Sequence, residues 1–473
     1  MNPNSASLPV AVIGAGPIGL AAAAELLARG LRPLVFEAGA SVAANFESFR
    51  HVRLFSPWRY NVDRAARQLL DAGGWQAPPD EELPTAGDVI DRYLAPLAAI
   101  PAIASALRLS SRVESVAREG FDKVKTKGRE QAPFVLRVRT AGGIEEHRVQ
   151  AVLDATGTWG TPNPLGANGL PAIGEREHAE RISYGMPDIL GEARERYAGK
   201  RVVVAGAGHS AAGNLLALAK LAEEVPATRI VWTIRGRNFA RIFGGGENDG
   251  LVARGALGAR LRRLVEEGRL VVRADFRSVA IREEGAALAI EGLGPDGSPA
   301  RIDAVDEIIV SAGCRPDLSL SSEIRVKLDP WLESTEALAP LIDPNEHSCG
   351  TVRPHGHREL AHPERGFYAI GAKSYGRAPN FLLATGYEQA RSIAAALAGD
   401  LAAADDVRLE LPQTGVCSTQ FDEAAGACCG GPPKARADAC CVRDEAAKDE
   451  GKAGCGCGRA PKRAAAVTAS TCC

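Results

Sequence analysis

Cysteine is absent from the first 313 residues of this 473-residue chain. That excludes a Cys-x-x-Cys redox pair there and any disulfide framework for the body of the protein. Uncharged apolar runs of the ~18 residues needed to cross a membrane are also missing. Charge of one sign is not in surplus: 56 Lys and Arg face 58 Asp and Glu, a formal −2, so nothing marks a nucleic-acid partner. The first eight residues lack the charged-then-apolar design of a signal peptide. The expectation is a cytoplasmic protein with no membrane and no nucleic-acid partner. At this length, with 45% apolar residues, two or three domains with cores of their own are expected.

Glycine, by contrast, is placed with purpose. Val10-Ala11-Val12-Ile13 leads into Gly14-Ala15-Gly16-Pro17-Ile18-Gly19, and Arg201-Val202-Val203-Val204-Ala205 leads into Gly206-Ala207-Gly208-His209-Ser210-Ala211. Each apolar run reads as a buried parallel strand, and each turn opens an Ala/Leu-rich stretch that reads as a helix. The first glycine permits the tight turn, and the second lets backbone approach a pyrophosphate. A small third residue (Gly19, Ala211) lets helix and strand pack closely. Phosphates would then rest on free N–H groups at the positive helix end. Two such units imply two dinucleotides, and an enzyme holding both is expected to move electrons between them.

Other positions follow from these turns. Glu37 ends the next strand, 23 residues beyond Gly14, where a carboxylate can accept from a ribose diol. Val152-Leu153-Asp154-Ala155 closes on Thr156-Gly157, and the pattern recurs at Ile308-Ile309-Val310-Ser311-Ala312-Gly313. These two strands flank the second unit and mark where an inserted domain leaves and rejoins the first. At the end of the second unit's second strand, Arg235 and Arg237 stand where an acid would select a 2′-OH. They are suited to fork onto a 2′-phosphate, which favours NADPH. A last core strand ends at Gly371, and Thr385 to Leu397 has helical spacing.

Two clusters remain. His347, Cys349, His355, His357 and His362 crowd 16 residues before the last strand. They read either as ligands for a soft metal or metalloid or as a polar loop over the site. The tail beyond Asp405 carries nine of the eleven cysteines, Cys417, Cys428, Cys429, Cys440, Cys441, Cys455, Cys457, Cys472 and Cys473. With few large apolar residues it is expected to be disordered without a ligand. From Cys428 onward, its adjacent or closely spaced thiols offer paired soft donors to a thiophilic metal or metalloid such as As(III).

The paired turns resemble the two-dinucleotide-fold flavoproteins, which implies FAD on the first unit and NADPH on the second. The segment Tyr368-Ala369-Ile370-Gly371, Gly376, Pro379 and Glu388-Gln389-Ala390-Arg391 resembles the C-terminal flavin segment of flavin-containing (class B) monooxygenases. The dithiol reductases of the superfamily usually end this strand in Gly-Asp, and here it reads Gly371-Ala372. The monooxygenases' Phe-x-Gly-x-x-x-His fingerprint is met only at Gly174 and His178. The resemblance implies an α/β fold of two dinucleotide-binding (Rossmann-type) domains, the NAD(P)-binding one inserted into the FAD-binding one. The expected layout is 1–165 and 312–404 for FAD, 166–311 for NAD(P)H and 405–473 for the tail. It also implies a small-molecule substrate, a soft nucleophile oxygenated through a flavin C4a-hydroperoxide, with Asn61 beside the flavin. The tail resembles those of flavoproteins associated with bacterial arsenic-resistance gene clusters. Two other readings stay open: a thiol or metalloid reductase using the tail cysteines as a shuttle, and a non-enzymatic thiophilic-metal binder.

Overall fold

This computed structural model describes residues 8–237, 239–243, 251–345, 352–379 and 382–409. The tail cysteines Cys428, Cys429, Cys440, Cys441, Cys455, Cys457, Cys472 and Cys473 lie outside the described residues, as do His347 and Cys349.

The strands, in chain order, are β1 (Val10–Ile13), β2 (Pro33–Phe36), β3 (Leu107–Arg108), β4 (Arg112–Arg118), β5 (Phe134–Thr140), β6 (Gly143–Val149), β7 (Ala151–Asp154) and β8 (Ile182–Tyr184). There follow β9 (Arg201–Ala205), β10 (Arg229–Thr233), β11 (Val271–Arg273), β12 (Arg277–Glu284), β13 (Ala287–Leu293), β14 (Pro299–Val305), β15 (Glu307–Val310) and β16 (Phe367–Ala369). They make two parallel five-stranded sheets, ordered β16-β7-β1-β2-β3 and β11-β10-β9-β15-β8. Two antiparallel three-stranded sheets, β4-β5-β6 and β12-β13-β14, complete the set. This is the expected α/β architecture of two Rossmann-type units.

Alternation explains the layers. Val10 and Val12 join a core with Leu20, Leu26 and Ile393, while Ala11 and Ile13 join another with Phe134, Leu136 and Val138. One face of the first parallel sheet therefore carries helices and the other carries the β4–β6 sheet, as period-two side chains require. The second parallel sheet repeats the arrangement. Val202 and Val204 pack with Leu215 and Leu261, and Val203 and Ala205 pack with Ile290 and Ile302 of the β12–β14 sheet.

Five helices matter for the site: α1 (Pro17–Ala28), α2 (Arg64–Ala72), α3 (His209–Glu224), α4 (Val252–Glu266) and α5 (Leu383–Leu397). Nearly every residue of α1 from Gly19 to Leu26 is buried, because the helix lies between its sheet and the helices α2 and α5. Its Ala-rich sequence permits that close approach on all sides. Among the described residues no helix is long and apolar enough to cross a membrane.

Within each parallel sheet the strand before the glycine turn, β1 or β9, has the next strand on one side and a later strand, β7 or β15, on the other. The carboxyl ends of such strands, where the order reverses, form the crevice in which open α/β sheets bind ligands.

A cleft with two phosphate turns

β1 is followed by Gly14, whose φ of +99° suits glycine and whose amide donates to the Phe36 carbonyl at 2.7 Å. A Cβ at Gly14 would sit 2.8 Å from the Ala155 oxygen, and one at Gly19 would sit 1.8 Å from the Gly14 oxygen. Both glycines are required by backbone packing. Gly16 is different: a Cβ there would meet no protein atom within 4 Å. It is the N-cap of α1, no side chain caps that end, and Pro17 contributes no N–H. The amides of the first turn, Ile18 included, are left for an external acceptor. Glu37 is buried, and its two oxygens accept from Ala15 N and Gly39 N at 2.8 Å each, which fixes the carboxylate against the turn.

The second turn repeats the design. Gly206 has φ +145°, donates to the Thr233 carbonyl at 3.1 Å, and has no room for a Cβ, which would lie 2.2 Å from the Ser311 oxygen. Gly208, the uncapped N-cap of α3, would carry a Cβ into open space. The small third residue, Ala211, is fully buried. His209 and Ser210 open α3, with the His209 ring edge-on to Phe55 at 5.3 Å. In both turns the position that must stay clear for a phosphate is clear, and the helix end behind it is uncapped. The residues present fit two pyrophosphates.

Both turns line a single cleft of about 1970 Å³. Single-ligand pockets usually run to ~300–1,000 Å³, so this cleft has room for two dinucleotides. Glu37, Ser111, Arg112 and Val113 lie at its first-turn side, with Thr156, Gly157 and Gly371 also on its wall. Gly371, at φ +66°, donates its amide to Gln389 Oε1 at 2.7 Å. A Cβ there would press on Ile18 at 3.0 Å, so this turn leans on the start of α1.

Two predicted positions, Asn61 and Arg237, have their side chains engaged within the protein. Asn61 lines the cleft yet is fully buried, and its amide group is committed. Nδ2 donates to the carbonyls of Ser56 (2.6 Å) and Pro57 (3.1 Å), and Oδ1 accepts from Ser56 Oγ at 2.8 Å. No amide hydrogen is left for a ligand in this arrangement. Arg237 forms an ion pair with Asp275 and is not on the cleft wall. Arg235 is on the wall, its guanidinium touching the Ala167 carbonyl, and Arg260 of α4 joins it there. Arg260 carried no sequence signal, because only the packing of α4 on α3 brings it to the cleft.

The described histidines of the 347–362 cluster do not converge. His355 Nε2 faces Gln389 Nε2 at 2.9 Å, His362 Nδ1 accepts from Lys327 N at 3.2 Å, and the His357 amide donates to Ser392 Oγ. Burial lowers His355 below the usual imidazole range and His362 to about 4. No group of three metal-ligating side chains forms among the described residues. His355 and His357 instead contact Gln389 and Ser392 of α5. Gly174 and His178, the partial fingerprint, sit away from the cleft wall, with Gly174 at φ +84° packed on the Ile281 carbonyl.

Cys314 is the one free cysteine among the described residues. It lines the cleft, half-buried, and burial raises its thiol pKa.

A family model for an NAD(P)-binding Rossmann-like domain matches residues 12–76. No curated protein sequence matches the chain. Among solved structures it is similar to a bacillithiol disulfide reductase from Bacillus cereus, at 18% identity, covering 83% of this chain and 99% of that one, with a TM-score of 0.61. It is also similar to an FAD-bound cadaverine monooxygenase from Erwinia amylovora, at 11% identity, with 89% and 99% coverage and a TM-score of 0.58. A flavin-containing monooxygenase from Stenotrophomonas maltophilia matches at 21% identity, with 83% and 98% coverage and a TM-score of 0.50. The fold is thus one that these reductases and monooxygenases share.

Proposed function

On this fold, we propose that the chain is an FAD- and NADPH-dependent oxidoreductase, and more narrowly a monooxygenase acting on a soft nucleophile: sulfur, nitrogen or trivalent arsenic. The observation that carries the reading is the pair of uncapped glycine turns, each with open space at its second glycine, on the wall of one cleft. Bound FAD supplies the two-electron and oxygen chemistry. The protein's share is to hold, orient and enclose. Gly14, Ala15, Gly16, Pro17, Ile18 and Gly19 cradle the first pyrophosphate, Glu37 takes the ribose, and Thr156, Gly157 and Gly371 border the same ligand. Gly206, Gly208, His209 and Ser210 take the second pyrophosphate, and Arg235 with Arg260 faces the 2′-phosphate.

Oxygen is favoured over a dithiol as the acceptor because Cys314 has no cysteine partner among the described residues and its thiol is pushed up by burial. A lone protonated thiol is a poor nucleophile and no dithiol. The second reading, a disulfide or metalloid reductase, is favoured by the nine cysteines from Cys417 onward. In the monooxygenase reading those thiols capture a soft metal or metalloid, a role in arsenic detoxification.

The test compares the purified full-length protein, loaded with FAD, on three acceptors: oxygen with a thioether or amine, oxygen with a trivalent arsenical, and a small disulfide. Oxygen consumption that yields oxygenated product supports the monooxygenase. NADPH oxidation that needs the disulfide and proceeds without oxygen would establish the reductase instead.

A further inference from the structure

Lys373 is among the most deeply placed charges in the described residues, only 6% exposed, yet it lines the cleft. It sits in the short turn Gly371–Tyr375 that follows β16. Its ammonium lies 2.6 Å from Asp154 Oδ2 and donates to Thr156 Oγ1 at 3.0 Å. Asp154, at the end of β7 and 1% exposed, accepts from the Thr156 amide (3.2 Å) and hydroxyl (2.7 Å) through its other oxygen. An ammonium has three donors. Two are used within this triad, and the third has no hydrogen-bond partner among the described residues, although the Asp317 carboxylate on the same wall is near enough to feel the charge.

The turn that carries Lys373 is held rigidly. Ser374 Oγ donates to the Gly371 carbonyl at 2.7 Å, and Gln389 Nε2 donates to Ser374 Oγ at 2.9 Å. A Cβ at Gly371 or Gly386 would run into Ile18, the second residue of α1, so the two glycines let this turn and α5 close on it. Lys373 is therefore fixed beside the first glycine turn, where the helix end offers only partial positive charge. A buried cation is costly unless its donors are satisfied, and this one has a donor left over at a site shaped for an anion.

We propose that Lys373 is an anchoring residue for the first dinucleotide, donating its remaining N–H to a phosphate oxygen, with Asp154 and Thr156 holding the ammonium in place. The inference rests on FAD occupying the first turn. It gives this site a charged N–H donor, its charge balanced by Asp154, that the glycine motif lacks. Asp154 keeps the lysine ordered before the ligand arrives, so little side-chain freedom is lost on binding.

The experiment measures the dissociation constant of FAD from the full-length apoprotein by flavin fluorescence, at low and high salt. The double variant Asp154→Asn/Lys373→Met removes both charges together, so that no buried ion is orphaned. It is expected to keep the wild-type melting temperature without FAD and to bind FAD at least tenfold more weakly at both salt concentrations. NADP+ binding, followed by tryptophan fluorescence, should stay within twofold. FAD affinity within twofold of wild type in the folded double variant overturns the proposal. Should that variant fail to fold, Lys373→Gln, which can still hydrogen-bond Asp154 and Thr156, decides by the same criterion. Wild-type protein that binds no FAD would instead sink the cofactor assignment on which the inference rests.

Discussion

Glu364 shows how much one buried residue can hold together. It is 3% exposed and accepts from Arg118 Nε, Arg129 Nε and Nη2, and the Arg325 amide, at 2.8 to 3.3 Å. Those contacts tie the β4–β6 sheet to the loop before β16. Burial alone would push this carboxyl up, but the Arg129 and Arg118 hydrogen bonds outweigh it and hold the group below its usual range. A depressed carboxylate stabilises the fold above its unfolded value of ~4.3 and loses that contribution as pH falls through the folded pKa. Glu364→Ala orphans two buried guanidinium groups and should cost about 3–5 kcal/mol, read as a lower urea midpoint at pH 7. The gap should narrow below pH 4. A midpoint within experimental error of wild type at pH 7 would refute the assignment.

Asp63 runs the other way. It caps α2, accepting from the Ala66 amide at 2.9 Å, but burial and the neighbouring Glu25 push its carboxyl up to about 7. The folded state thus binds a proton that the unfolded chain has released, and stability declines as pH climbs from about 4 to about 7. Asn is an equally good cap without the charge. Asp63→Asn should therefore raise the melting temperature relative to wild type, and by more at pH 8 than at pH 5. An equal shift at both values would contradict this.

At the scale of elements, the glycine turns were legible in the sequence because their spacing is dictated locally: strand, turn and helix lie within a dozen residues. Within each turn the structure separates two kinds of glycine. Gly14→Ala and Gly206→Ala bring a Cβ onto backbone oxygen at a positive φ, at a cost of roughly 1–3 kcal/mol from the backbone strain alone. Gly16→Ala and Gly208→Ala meet no protein atom. The second pair should melt like wild type yet weaken FAD and NADPH, respectively, by tenfold or more, as measured by direct titration. Selective loss of stability in Gly16→Ala would show that the space at this turn is not a ligand's.

What escaped the sequence was set by distant partners. Arg237, read from the sequence as a phosphate ligand, pairs with Asp275, 38 residues on. Lys373 meets Thr156 across 217 residues, and no local pattern announces that. Asn61 is the opposite case: its amide hydrogens are used within its own turn, on Ser56 and Pro57. The arginine geometry gives a sharp expectation. Arg235→Ala and Arg260→Ala should each raise the NADPH Michaelis constant by about tenfold or more, since a charge-assisted hydrogen bond is worth ~1.5–3 kcal/mol. Neither should change the NADH value comparably, and Arg237→Ala should change neither. An Arg237→Ala effect as large as that of Arg235→Ala would restore the original pairing.

For the whole molecule, the described body ends at Leu409, and its last turns are built in. Arg358 pairs with Asp405, and the carbonyls of Ala403 and Ala404 accept from Arg391 and Ser392. A chain ending after Leu409 keeps these contacts and should fold, bind FAD and oxidise NADPH like the full protein, while losing tight As(III) binding. The central claim, two dinucleotides working in one cleft, is tested most directly by anaerobic titration of the FAD-loaded protein with NADPH. The account predicts stoichiometric bleaching of the flavin band, faster with NADPH than with NADH. A protein that takes up no FAD, or whose bound FAD stays oxidised under excess NADPH, would contradict it.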